Sequence, residues 1–82
     1  MASKLLGKIV EVKWEDAWFS DRSFNFDDIK KEDPFYLTTV GYVIRDDKTG
    51  ITLSPELSFR SGLYRNCHHV CRAMIRKVRR LK

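Results

Sequence analysis

The stretch Cys67–Lys82, CHHVCRAMIRKVRRLK, decides the fold, because its apolar residues fit two periods at once. Val70, Cys71, Met74, Ile75, Val78 and Leu81 form one stripe of a 3.6-residue helix, with arginines on the opposite face. Periodicity by itself therefore predicts a basic amphipathic helix from about Asn66 onward. The same residues also divide into a strand over Tyr64–Val70, a one-turn break over Arg72–Met74 and a last strand over Ile75–Leu81. That division would lay the last strand against the start of the chain and close a small barrel.

A third reading is a metal knuckle. Cys67, His69 and Cys71 share one face of a strand, and Cys67 and Cys71 share one face of a helix. A structural zinc site needs a fourth ligand and two short ligand pairs well apart in sequence, whereas the remaining Cys or His is the adjacent His68. No metal is expected. A Cys nucleophile served by a neighbouring His fails because adjacent side chains rarely reach each other's functional atoms. Glu15 and Asp16 fall on opposite sides of a strand and cannot act as a carboxylate pair. With no Gly-rich phosphate loop, Walker motif or helical zinc-protease motif, the chain is expected to be neither an enzyme nor a cofactor carrier.

Working outward, 82 residues make one domain, 1–82. A chain this short buries only about 60 to 65% of its unfolded surface, which leaves no room for a second core. Apolar residues are 43% and charged ones 33%, the balance of a folding globular chain. The start, MASKLLGKIVEV, carries no apolar stretch long enough for a signal peptide or a spanning helix. Two cysteines four residues apart do not make a secreted disulfide framework, so a cytoplasmic protein is expected, in a cell or an infected one. Charge is uneven: residues 72–82 hold six basic groups and no acid, against ten basic and eleven acidic groups before them. Such a cluster can attract phosphate, a membrane surface or an acidic partner, or remain a solvated edge.

Alternation in GKIVEVKWEDA places Val10, Val12 and Trp14 on one face and Ile9, Glu11, Lys13 and Glu15 on the other, predicting strand one. Residues 18–34 lack a sustained period and end on Asp33-Pro34, predicting a long connection with one helical turn around FDDIKK. Tyr36–Arg45 and Ile51–Leu53 read as a hairpin turned at DDKTG, where Gly50 supplies a positive φ. Gly41, inside the first of these strands, predicts a bend or a close backbone approach. SFRSG is a second turn.

Four segments carry a resemblance: VEVKWEDA (10–17), TTVGYVIRDD (38–47), ITLSPELS (51–58) and VCRAMIRKVRRL (70–81). Together and in this order they resemble a widespread family of short tailed-phage proteins, whose last motif reads Ile-Pro where this chain has Val70-Cys71. A proline there argues against a continuous helix. The same segment is similar to the strand, short turn and strand that end Sm-like, Hfq-like barrels. The resemblance implies a mainly β fold, a five-stranded SH3-like or Sm-like barrel with a long loop after strand one. The alternative is a β-sheet with a C-terminal basic amphipathic helix.

Some members of that family are non-enzymatic sponges that sequester cyclic oligonucleotide signals of the host's CBASS immunity. The resemblance thus implies a cyclic oligonucleotide ligand, a symmetric homo-oligomer, the host cytoplasm as location and no membrane partner. Aromatics would stack on bases and arginines would hold phosphodiesters, with Trp14, Trp18, Tyr42, Tyr64, Arg72, Arg76 and Arg79 as the candidate contacts. Trp14 and Tyr42 fall on the apolar faces of their strands and serve as well for core packing; Trp18, Phe19 and Tyr64 lie near loop ends. Asp16 reads as a turn residue closing strand one. Two other functions fit the same residues: a small-barrel RNA or DNA binder, or an inhibitor docking its arginines on an acidic host protein.

Overall fold

A computed structural model describes residues 3–17, 23–31 and 33–81. The chain runs β1 (Ile9–Asp16), a single helical turn α1 (Phe26–Ile29), β2 (Phe35–Asp47), β3 (Gly50–Ser54), β4 (Glu56–Leu57), β5 (Tyr64–Arg65), β6 (His68–Cys71), a 3-10 turn (Arg72–Met74) and β7 (Ile75–Arg80). Five strands form one antiparallel sheet in the order β6-β3-β2-β1-β7, and β4 and β5 form a small hairpin beside it. The protein is mainly β.

The C-terminal stretch takes the strand–turn–strand path, and the helix from Asn66 does not form. The reason lies in β1, which β2 covers along one edge only. β7 supplies the hydrogen-bonding partner for the other edge, setting Val78 opposite Val12 and Ile75 opposite Trp14. A helix would have satisfied its own backbone and left that edge open. Asn66, with φ 57°, breaks the expected Tyr64–Val70 strand into β5 and β6.

β6 and β7 are the two edges of the sheet, yet only Arg72–Met74 separate them in sequence. In a flat sheet of five strands these edges would lie about 19 Å apart, while the four chain steps from Cys71 to Ile75 reach about 14 Å at most. The sheet therefore curls about its concave face. That face holds the core: Val10, Val12 and Trp14 of β1, Val43 of β2, Ile51 and Leu53 of β3, and Val70 of β6. Leu5, Leu37, Ile75 and Val78 pack around it. The indole of Trp14 donates to Thr39 Oγ1 at 3.0 Å, so its polar atom is satisfied at the core's edge.

Gly41 permits the curl, since a Cβ there would stand 2.7 Å from the carbonyl oxygen of Ser54. Gly50 takes φ +150° at the start of β3, and a Cβ on it would meet the carbonyl of Val70. Two expected orientations are corrected. Tyr42 pairs with Ile9 and Ser54 and lies on the convex face, opposite to Gly41 and Val43, because VGYVI is apolar at both parities and hides its inward side. Simple alternation along Ile75–Leu81 would set Arg76 on the side of Val78 and Arg80, but the ladder steps from Lys13↔Lys77 to Trp14↔Ile75, leaving Arg76 as an extra residue in a bulge. It turns to the convex face beside Arg79.

Candidate nucleotide cleft

The candidate arginines are held by carboxylates on neighbouring strands. Arg79 donates to Glu11 at 3.1 Å and Arg76 to Glu15 at 2.8 Å, both across the β1–β7 pair on the convex face. Arg72 sits at the corner between β6 and β7, where it bonds to the Asp46 carboxylate and to the carbonyl of Asp47. The structure thus brings Arg76 and Arg79 onto one face and sets Arg72 apart, each already carrying a counter-ion. These are surface pairs, worth about 0 to 1 kcal/mol each, so they tie the strands together at low energy.

Asp46 also accepts from the hydroxyl of Ser3. That hydrogen bond, with Arg72, holds its carboxyl below the usual range against the opposing effect of partial burial. Asp47 is lowered further by the Thr49 hydroxyl and by Arg45, in the turn joining β2 and β3. This cluster closes a turn and an edge.

Of the aromatic candidates, Trp14 is core, 8% exposed, with His68 edge-on to it at 5.3 Å. Trp18 and Phe19 lie outside the described residues. Tyr42 and Tyr64 do meet: their rings stand 5.8 Å apart in an edge-to-face pair, both half-buried. Asp16 is the last residue of β1, opposite Phe35.

Tyr42 also forms one wall of an open cleft of about 440 Å³ between the main sheet and the β4–β5 hairpin. Pro55–Phe59 and Arg65 line the rest. The hairpin is latched by Ser54, fully buried, whose hydroxyl bonds to the carbonyls of Glu56 and Arg65. Its loop holds Phe59 92% exposed, followed by the exposed Arg60. Arg65 pairs with Glu56, its cross-strand neighbour in the hairpin, at 3.0 Å. Phe59, Arg60 and Arg65 were not singled out from the sequence, where SFRSG read as a plain turn. An aromatic and an arginine side by side in a Gly/Ser turn were the available signal, since packing places few Phe in such loops.

Phe24, Phe26 and Ile29 form a second hollow, of about 390 Å³ and without a cation in its lining. Cys67 and Cys71 are both exposed free thiols, and no group of three or more His, Cys, Asp or Glu side chains among the described residues is placed to hold a metal. No helix among them is long and apolar enough to cross a membrane. No family model, curated protein or solved structure matches the chain.

Proposed function

We propose that the protein is a non-enzymatic phage sponge that binds a cyclic oligonucleotide immune signal in the cleft between its sheet and the β4–β5 hairpin, and that its curled sheet is a small SH3-like or Sm-like barrel. The observation that carries this reading is Phe59, an almost fully exposed ring in the lining of a cleft that Tyr42 and Arg65 also line, with the exposed Arg60 next to it in sequence. A base stacks on the aromatic surface, and a phosphodiester displaces Glu56 from Arg65 to take a planar, two-pronged hydrogen bond. The cleft's volume, about 440 Å³, lies in the usual range of small-ligand sites. Resemblance of the four segments to the tailed-phage family supplies the cyclic ligand and the symmetric oligomer. Arg72, Arg76 and Arg79 already carry Asp46, Glu15 and Glu11 as counter-ions, so a phosphate gains less from them than from an unpaired arginine.

Titration calorimetry of the protein against cyclic di- and trinucleotides at two salt concentrations tests the reading. Binding should be stoichiometric and tolerant of salt, and heating the purified protein should release a compound absorbing at 260 nm. Phe59→Ala should leave the melting temperature unchanged and weaken binding about 5- to 150-fold, the range of one base–aromatic stack. An absence of heat with every cyclic nucleotide, together with steeply salt-dependent binding of a short RNA, would replace the sponge with the nucleic-acid binder.

A further inference from the structure

The longest strand leaves part of one edge uncovered. β2 pairs with β1 from Phe35 to Tyr42, whereas β3 accompanies it only from Tyr42 to Asp47. Over residues 36–40 the side of β2 turned away from β1 has no strand beside it among the described residues.

The backbone groups on that side can be identified. Val43 donates its N–H to the Lys8 carbonyl at 2.9 Å and accepts from Gly7 N–H at 2.8 Å, so both of its groups turn toward β1. Successive residues alternate, and the β1–β2 register runs without a break from Phe35 to Tyr42. Tyr36, Thr38 and Val40 therefore turn their N–H and C=O groups to the open side, three donors and three acceptors. The segment itself, YLTTV, holds no charge, and the first charged residue after it is Arg45. Monomeric proteins guard such edges with lysine, proline or a bulge; within residues 36–40 none of these occurs.

We propose that this edge pairs with the same edge of a second copy, antiparallel about a two-fold axis through Thr38. Tyr36 then lies opposite the partner's Val40, Thr38 opposite the partner's Thr38, and Val40 opposite the partner's Tyr36. All six outward groups find partners, two hydrogen bonds per pair. A slip of one residue would set outward groups against inward ones, and a slip of two would lose a pair. The side chains agree with this register: Tyr36 and Val40, 47% and 45% exposed, become an aromatic and β-branched cross-strand pair on each side of a Thr–Thr pair.

An uncharged edge gives a charged partner nothing to select, whereas under a two-fold it is its own complement. The pairing rests on backbone geometry and does not depend on the nucleotide reading. A single added strand pair buries less than the roughly 1,600 Å² of a standard interface, so the dimer should be weak, with a Kd on the order of micromolar to tens of micromolar.

Sedimentation equilibrium up to about 200 µM brackets that Kd; reductant is included because Cys67 and Cys71 are exposed. The 9.7 kDa chain should rise to twice its mass. Thr38→Pro should remain monomeric with its fold intact, because the N–H it removes faces the open side and not β1. Thr38→Lys and Thr38→Glu, which keep that N–H, should each be monomeric because like charges meet on the axis. Their equimolar mixture should restore the dimer. A wild-type chain that stays monomeric throughout would overturn the proposal. So would Lys and Glu variants that self-associate as well as the wild type, or whose mixture stays monomeric. Should Thr38→Pro fail to fold, the Lys and Glu variants decide the matter.

Discussion

Replacing Gly41 by alanine should be among the costliest single-methyl changes in this protein. The added Cβ would lie 2.7, 2.9 and 3.1 Å from the carbonyl oxygen, carbonyl carbon and nitrogen of Ser54. Ordinary carbon contacts begin near 3.5 Å, so β3 must retreat by about 0.5 to 1 Å. No rotamer change relieves this, since all three neighbours are backbone atoms. Overpacking of this kind costs about 1 to 3 kcal/mol. Ser54 is also the latch of the β4–β5 hairpin through its hydroxyl bonds to Glu56 and Arg65, and weakening them adds about 1 kcal/mol.

The sum, about 2 to 4 kcal/mol, should lower Tm by roughly 10 to 25 °C in a domain of this size. Thermal melts followed by circular dichroism measure it. Ser54→Ala should lose the latch alone, and because both changes act on the same contact the double variant should cost less than the two single losses added. A Gly41→Ala protein melting within a few degrees of wild type, or strict additivity with Ser54→Ala, would refute the argument that this approach sets the curl of the sheet.

Two further expectations follow from charge. Lys13 and Lys77 stand directly opposite each other between the Glu11–Arg79 and Glu15–Arg76 pairs, so Lys77→Glu should stabilise the protein by about 0.2 to 1 kcal/mol, read as a higher denaturation midpoint that fades in high salt. Asp46 and Asp47 have lowered pKa values in the folded chain. Their contribution to stability is therefore complete above the unfolded carboxylate value of about 3.9 and is lost as pH falls through the folded values. Tm should hold level from neutral pH to about 5 and then drop. Thr49→Val, which removes the hydroxyl bonded to Asp47, should flatten that drop; an unchanged acid limb would show that this turn does not contribute.

Much of the architecture was legible because strands announce themselves by period and turn chemistry. Val10, Val12 and Trp14 do face the core, the hairpin does turn at DDKTG, and Gly41 does mark a close approach. The site was less legible. Arginine positions could be counted, but which of them already had a carboxylate partner depended on β7 lying beside β1, a contact more than sixty residues apart in sequence.

By itself, then, the sequence determined the inward face of β1 and the turn between β2 and β3, since these follow from local periodicity and from residues whose backbone preferences are fixed by sterics. Tertiary structure alone decided three other matters. It made a strand of a segment with helical periodicity, because the open edge of β1 needed hydrogen bonds that a helix could not give. It turned Arg76 to the convex face through one extra residue in the ladder, and it set Phe59 over a cleft by latching the hairpin to Ser54. Register and latching arise from pairing between distant segments, and no local period encodes them.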